Sequence, residues 1–539
     1  MREIDRLTTE EYGVPSFALM QAAANACFLE IKKRCSGKTT DLRVRILCGP
    51  GNNGGDGAAL AQLLSAAGAE TEVVLFGKVD NISGDARTNF DRVQELSNDR
   101  HNKLAFIECT TSEEWKTLSG TSPSYNVIVD ALFGTGLTRP LKGIFAEVVE
   151  HLPGIDNSGK APFILSVDIP SGLNSDSPLF IGPTIKADAT VTFTTPKVAN
   201  VLAPASYLNG KLAIAEIGSP TDLVERMSSD LFITEQADAQ RWLVNTRYAP
   251  DSFKNTHGHV LVIAGSRGYT GAAVLCGNAA MRAGAGLTTI ATPDSAQATI
   301  AASVMPEVIT TALAETDRGA VSDTAIDYVA QLGSKATVVA IGPGLTSSDE
   351  RTRTFVHAVV AQRKTPVVID ADALNCLAPW PNSLSGKSEF PIVITPHPGE
   401  MLRLLGTTDK STLEDRVGVA RMFATRNNVI LVLKGSPPMI AAADGRVFIN
   451  PTGNPGLGTA GAGDTLTGLI AGFLAQEFAQ TIHKPDALQA TIAALYVGGF
   501  AGDLAARELG MRSMVASDIR ERIGDAICLL DPVGEGCSE

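Results

Sequence analysis

Val44-Arg45-Ile46-Leu47-Cys48 runs into Gly49-Pro50-Gly51-Asn52-Asn53-Gly54-Gly55-Asp56-Gly57, and a helix pattern follows from Ala58 to Ala67. An apolar strand, a glycine-rich turn and a helix, in that order, make the repeating unit of parallel sheets. Downstream, Thr71 to Phe76, Tyr125 to Leu132, Phe163 to Ile169 and Thr190 to Thr194 repeat the apolar runs between helical patterns. The first half therefore predicts a Rossmann-like, three-layer α/β domain. In such sheets ligands gather at the carboxyl ends of the strands. The glycine cluster, Asp130 and Asp168 all fall there.

The pattern fades after Ile214-Ala215-Glu216-Ile217-Gly218, and a charged, turn-containing stretch runs from Ser219 to about Asn255. A boundary near residue 225 divides the chain into domains 1–225 and 226–535. A second alternation begins at Val260-Leu261-Val262-Ile263-Ala264 and continues through Leu287 to Ala291, Thr337 to Ile341, Val367 to Asp370, Ile392 to Thr395 and Ile430 to Leu433. Helices from about Asp464 to Leu474 and from Ala487 to Leu504 are rich in Ala, Leu and Gly, as sheet-covering helices are. The tail after Asp531 is expected to be loose.

With 539 residues and 44% hydrophobic content, the chain can fill two cores at ~100 to 250 residues per domain. Its net charge of -13, from 58 acidic and 45 basic residues, speaks against nucleic-acid and anionic-membrane partners, which need a basic face. Eight cysteines are scattered without a CxxC pair, which fits reduced thiols in a cytoplasmic protein. Acids in Met1-Arg2-Glu3-Ile4-Asp5-Arg6 disfavour a signal peptide. No run is expected to reach the ~20 apolar residues of a membrane span.

Thr452-Gly453-Asn454-Pro455-Gly456-Leu457-Gly458-Thr459-Ala460-Gly461-Ala462-Gly463-Asp464-Thr465-Leu466 places glycines and one carboxylate at a helix start. Gly461 and Gly463 can turn backbone N-H groups toward an anion at the positive helix end, and Asp464 can draw a proton from a hydroxyl. His397, in Thr395-Pro396-His397-Pro398-Gly399-Glu400, stands between two prolines expected to fix its ring direction; a purely structural histidine is the alternative. Lys434-Gly435 offers a cation to a phosphate, or is a solvated turn. In the first half, Asn52, Asn53 and Asp56 stand among glycines read as allowing close backbone approach to a ligand. Asp130 precedes Gly134-Thr135-Gly136-Leu137, and Asp168 precedes Pro170-Ser171-Gly172; singly, either acid could just cap a turn. Oxygen ligands from Asn53, Asp130 and Ser171 suit a hard cation.

Asn52 to Gly57, Val129-Asp130-Ala131-Leu132-Phe133-Gly134-Thr135-Gly136 and Val167-Asp168-Ile169-Pro170-Ser171-Gly172 resemble the NAD(P)H-hydrate epimerase domain. Gly268-Tyr269-Thr270-Gly271-Ala272, Gly342-Pro343-Gly344-Leu345, Thr395 to Glu400, and Gly453 through Asp464 resemble the ribokinase-like NAD(P)H-hydrate dehydratase. Together they follow the order of the fused bacterial repair enzymes. The resemblance implies that the first domain interconverts the R and S hydrates of NADH and NADPH (NADHX and NADPHX) at ring carbon 6. It implies that the second dehydrates the S form, using ADP and releasing AMP and phosphate. It assigns the epimerase substrate to Asn52, Asn53, Gly54, Gly55, Asp56, Gly134, Thr135, Gly136, Leu137, Thr138, Arg139, Pro140 and Asp168, with K+ at Asn53, Asp130 and Ser171. It assigns the dehydratase substrate to Ala272, Gly344, His397 and Asp464, and the adenine nucleotide to Lys434, Gly435, Ser436, Pro437, Pro438 and Gly463. Asp464 and Asp168 are the catalytic candidates, with Lys197 as a helper; Mg2+ and a homo-oligomer are also implied.

The nucleotide loop departs from that family, which usually has threonine at the position of Pro438. A hydroxyl is lost and two successive prolines remove backbone donors, so the choice between ADP and ATP stays open. A ribokinase-like vitamin-precursor kinase would share the Asp464 loop but leave the first domain a non-catalytic binding module. Intact Asn53, Asp130 and Asp168 speak against that module.

Overall fold

The computed structural model describes residues 1–35, 37–99, 101–120, 124–152, 161–227, 229–480 and 483–531. The chain forms two compact units, Met1–Ser229 and Asp230–Glu539. The expectation of a loose tail after Asp531 lies outside the described residues.

The first unit carries strands β1 (Arg43–Cys48), β2 (Glu70–Leu75), β3 (Leu104–Glu108), β4 (Val127–Ala131), β5 (Phe163–Val167), β6 (Ala189–Phe193) and β7 (Lys211–Ala215). They form one sheet in the order β3-β2-β1-β4-β5-β6-β7, with every pairing parallel. Side chains on a strand alternate between faces, and the core follows that rule. Val44, Ile46 and Cys48 pack with Ala58, Leu60, Leu64, Phe90 and Val93 from helices Asn52–Ala66 and Gly84–Asn98. Leu47, by contrast, packs with Trp115, Ile128 and Val148 on the opposite face. Arg45 also points that way, fully buried, paired to Glu72 at 2.6 Å and 4.4 Å from the Tyr125 ring centroid.

Two of these strands escape the sequence pattern. β3 and β7 lie at the sheet edges and are only partly buried, so they lack the unbroken apolar run that double coverage imposes on inner parallel strands.

The second unit adds β8 (Leu231–Ile233), β9 (His259–Ile263), β10 (Leu287–Pro293), β11 (Ile309–Leu313), β12 (Val338–Ile341), β13 (Val367–Ile369), β14 (Ile392–Ile394), β15 (Ile430–Leu433), β16 (Met439–Ala441) and β17 (Val447–Ile449). Their order is β11-β10-β9-β12-β13-β14-β15-β16-β17-β8. Pairings from β11 to β15 are parallel, β16 is antiparallel to both its neighbours, and β8 joins β17 in parallel. The segment read as a charged connection thus supplies an edge strand; three residues are too few to show a period. Val260, Val262, Ala340, Val368, Val393 and Val432 share one core with helices Ala462–Ala479 and Ala487–Leu509.

Two expectations need correction. Helix Ala487–Leu509 is long and apolar enough to cross a membrane, with a mean hydropathy of 1.2; here it packs in the core against helices Ala462–Ala479 and Gln236–Asn245. Cys27, Cys35, Cys48, Cys109, Cys276 and Cys376 are free thiols, but Cys528 is disulfide-bonded, so the reading of uniformly reduced thiols fails at that residue.

Helix Ala462–Ala479 lies so close to helix Thr270–Arg282 that a Cβ on Gly468 would overlap the Cys276 carbonyl oxygen. Gly468→Ala gains about 1 kcal/mol of helix propensity, yet a backbone carbonyl cannot rotate away as a side chain can. Net destabilisation of about 1–3 kcal/mol is expected, read as a lowered unfolding midpoint by calorimetry.

Candidate functional site

In the first unit, β1, β4 and β5 are neighbours, so the segments leaving their carboxyl ends meet. Asn52 to Gly57 is not a loop: it forms the start of helix Asn52–Ala66. Its glycines are required by packing. A Cβ on Gly54 would overlap the Gly49 carbonyl oxygen; one on Gly55 would press on Ala86 and one on Gly57 on Ala131. Asn52 is exposed, while Asn53 is buried, with its Nδ2 lacking a hydrogen-bond partner among the described residues. A Cβ on Gly134 would stand 3.2 Å from Asn53 Oδ1 and 3.5 Å from Asp168 Oδ2. Asn53, Gly134 and Asp168 therefore converge. Thr135 is tied in through its carbonyl, which accepts from Ser175 Oγ at 3.3 Å, and Leu137 packs in the core beneath. Thr138, Arg139 and Pro140 are exposed.

Asp168 has φ 68°, a left-handed conformation rare for a non-glycine residue. Its Oδ1 accepts from Lys197 Nζ at 2.5 Å, and Lys197 also donates to Thr192 Oγ1 at 2.8 Å and the Phe193 carbonyl at 3.1 Å. Both side chains are almost enclosed, 12% and 5% exposed. A strained backbone holding a buried carboxylate against a buried ammonium is typical of functional sites. Asp56 lies in the same field: burial, then Asp168 and Asp5, push its carboxyl well above the usual range.

Asp130 is fully buried. Its Oδ2 accepts from Ser166 Oγ at 2.7 Å and the Ser171 amide at 2.8 Å, and its Oδ1 from Ser171 Oγ at 2.5 Å. Burial raises its pKa and these hydrogen bonds pull against the shift.

In the second unit, the loops after β9 and β12 are locked together: the Gly265 amide donates to the Pro343 carbonyl at 2.8 Å and Ser266 Oγ to the Gly344 carbonyl at 2.7 Å. Gly344 has φ 65°, and a Cβ there would stand 3.1 Å from the Ala272 Cβ, so these two candidates adjoin. His397 N-caps helix Pro398–Leu404 through a capping box. Its Nδ1 accepts from the Gly399 amide at 3.0 Å, and its own amide donates to Glu400 Oε2 at 2.8 Å. The cap, more than the flanking prolines, sets the ring direction, leaving Nε2 3.5 Å from Glu400 Oε1 and the side chain half exposed. Burial, then Lys434 and Arg403, lower its pKa.

Lys434 is no solvated turn. Its Nζ donates to Asp370 Oδ1 at 2.7 Å, while Thr467 Oγ1 donates to Asp370 Oδ2 at 2.7 Å. A Cβ on Gly463 would stand 3.1 Å from Lys434 Nζ, so the ammonium faces the first turn of helix Ala462–Ala479. Burial pulls its pKa down, but the Asp370 and Glu400 carboxylates prevail and it ends raised. Gly461, with φ 86°, caps helix Ala462–Ala479, and Asp464 lies in its first turn. Burial, then Asp370, push Asp464 up to about 6, against the pull of Lys434. Glu400 is pushed up to about 7, chiefly by burial.

Asp370, Thr467 and Glu400 were not singled out from the sequence, nor was Arg416. Its guanidinium braces the loop of residues 434–438, donating to the carbonyls of Pro437 at 3.1 Å, Ser436 at 3.3 Å and Lys434 at 3.4 Å. Asp370 had a usable signal, an acid one residue past a strand end, the same signal that picked out Asp168. Arg416 had none, being a basic residue at the start of an ordinary surface helix. The Pro438 carbonyl accepts from the Asn450 amide at 3.0 Å, and Gly435 has φ 139°.

Two family models match the chain: the YjeF-related protein N-terminus over residues 16–199 and the NAD(P)H-hydrate dehydratase over residues 260–524. The chain is 40% identical to the bifunctional NAD(P)H-hydrate repair enzyme of Moorella thermoacetica, with 96% of this chain and 94% of that one covered. Against the Escherichia coli enzyme of the same name it is 31% identical, with 96% and 91% covered. An ADP/ATP-dependent NAD(P)H-hydrate dehydratase from Bacillus subtilis, co-crystallised with ATP and Mg2+, is 28% identical with a TM-score of 0.47, covering 56% of this chain and 100% of that one. Matched in both halves and along nearly its whole length, the chain belongs to the family of bifunctional NAD(P)H-hydrate repair enzymes.

Proposed function

We propose that the two units divide the repair of hydrated NADH and NADPH between Asp168 and Asp464. The first unit interconverts the R and S hydrates at ring carbon 6, and the second dehydrates the S hydrate with an adenine nucleotide. The observation that carries this reading is the pairing, in each unit, of a buried strand-end carboxylate with a lysine: Asp168 with Lys197 and Asp370 with Lys434.

In the second unit the hydroxyl is a poor leaving group until it is phosphorylated. Asp464, its pKa pushed up to about 6, is basic enough to take the hydroxyl proton yet ionised at neutral pH. Lys434, steered by Asp370 and Thr467, faces Gly463 and offers positive charge where a transferring phosphoryl group would sit. The helix N-terminus at Gly461 to Gly463 adds backbone donors. Ala272 and Gly344 leave room for the flat ring of the hydrate, with His397 from the next loop. Mg2+, carried on the nucleotide phosphates, would spread their charge. Because Arg416 occupies carbonyls of Lys434, Ser436 and Pro437, the nucleotide meets a pre-shaped loop, and prolines 437 and 438 cost it donors rather than shape.

In the first unit Asp168 moves the proton and Lys197 holds its charge. Asn53, Asp130 and Ser171 present amide, carboxylate and hydroxyl oxygens, a donor set that fits K+, and the buried charge of Asp130 would be balanced by such a cation.

The purified protein, given mixed R and S NADH hydrate with Mg2+, K+ and ADP or ATP, is expected to restore the absorbance of reduced nicotinamide from both epimers, and only with nucleotide. Recovery of the S form alone would remove the first activity; none at all would remove the second. Asp464→Asn should slow dehydration about 10²- to 10⁴-fold. In the wild type, dehydration should fall as pH drops below about 6, where Asp464 becomes protonated.

A folded-state pKa above the unfolded value of about 4 means that the folded protein binds this proton more tightly. The associated stability is present at low pH and is lost as pH rises toward 6. Asp464→Asn removes that penalty, so thermal unfolding at pH 7 should show a gain on the order of 1 kcal/mol after solvent screening, alongside the lost activity.

A further inference from the structure

Helix Arg2–Glu10 precedes the residues 16–199 matched by the first family model. It is docked firmly. Ile4 and Thr8 are buried; just beyond it, Glu11 pairs with Arg226 at 2.7 Å and Tyr12 donates to Asp222. Its first turn faces the loops that hold Asp168 and Lys197. A Cβ on Gly136 would overlap the Arg2 guanidinium, and Met1 Sδ lies 3.2 Å from Thr195 Oγ1, two residues before Lys197. Asp5 is one turn further along. Its Oδ1 is buried and has no hydrogen-bond partner among the described residues. An unsatisfied buried oxygen costs about 1–3 kcal/mol, and its persistence points to a partner that arrives with the ligand.

We propose that Asp5 is a further acid–base residue of the first site, acting with Asp168 and Lys197 on the hydroxyl of the hydrate. The proposal rests on the epimerase reading of that site. The charged groups whose fields reach Asp5 are the Met1 amino group at the start of its own helix and, from three other segments, Lys197, Asp168 and Asp56. Burial raises the Asp5 carboxyl and Asp168 adds to the rise, while the amino terminus and Lys197 oppose it. Asp5 carries no ion-pair partner of its own among the described residues, whereas Asp168 is held by Lys197 at 2.5 Å; the two carboxyl groups stand in unequal environments, the arrangement that separates an acid from a base.

Asp5 gives its proton to the hydroxyl on ring carbon 6 as the C–O bond breaks, and the lone pair of the adjacent ring nitrogen forms a C=N bond. Water departs. When water adds to the opposite face, the new C–O bond forms and the C=N pair returns to nitrogen; Asp168 takes the released proton, which passes back to the Asp5 carboxylate through the departed water. Nothing is oxidised or reduced, and the product is the other epimer.

The test uses the full chain and follows R-to-S exchange of NADPH hydrate by chromatography without nucleotide. Asp5→Asn should lower kcat about 100-fold, leave KM within about threefold and remove one limb of the pH profile. Asp5→Glu keeps a carboxyl and should retain that limb at a displaced midpoint, so the test stands even where Asp5→Asn does not fold. An unchanged rate in Asp5→Asn, a slower rate with both limbs intact, or an Asp5→Glu midpoint identical to the wild type each overturn the proposal. Asp168→Asn, run in parallel, separates the two readings. Loss there with Asp5→Asn unaffected overturns the role of Asp5 alone, whereas a wild type that exchanges no epimer overturns the epimerase reading and this proposal together.

Discussion

Parallel pairing governs both units. Hydrogen-bonding strands side by side in one direction forces each chain segment to leave at the carboxyl edge and return through a helix. Loops from neighbouring strands are thereby gathered at one edge even when they lie far apart in sequence. In the first unit β1, β4 and β5 bring Asn53, Gly134 and Asp168 together; in the second, β12, β13, β14 and β15 do so for Gly344, Asp370, His397 and Lys434. The same pairing leaves no polar face on the inner strands, so the cost of the buried charges at those edges falls on local partners.

Those partners are economical. Desolvating an ammonium and a carboxylate costs several kcal/mol per ion, and a buried pair recovers it only with good geometry and further hydrogen bonds. Lys197 has three acceptors, and Asp370 has a second donor in Thr467. Asp464, Glu400 and Asp56 are less well compensated, and burial raises all three. Fully satisfied pairs fix geometry, while Asp464 and Glu400, pushed up to about 6 and about 7, keep protons within reach of neutral pH.

Inner parallel strands from β9 to β15 and in the first sheet were legible in the sequence because double coverage makes them predominantly apolar. The edges β3, β7 and β11 and the three-residue β8, β16 and β17 were not. Asp168, Asp130 and Asp464 were legible as lone acids where strands end or helices begin. Asp370 gave the same signal but lay beside the more conspicuous glycine loops. Arg416 and Asp5 were not legible, since each acts through a contact that only the tertiary fold creates. For His397 the prolines suggested rigidity, and the fold supplies it by a capping box instead.

The tight helix starting at Asn52 changes what its glycine signature can report. Gly54, Gly55 and Gly57 are required because a carbonyl oxygen and two alanine methyl groups occupy the space their side chains would need. A descendant chain that no longer turned over any substrate would still be obliged to keep them, or lose the seating of that helix. Loss of function would register first at Asn53, Asp168 and Lys197, whose side chains the packing alone does not demand.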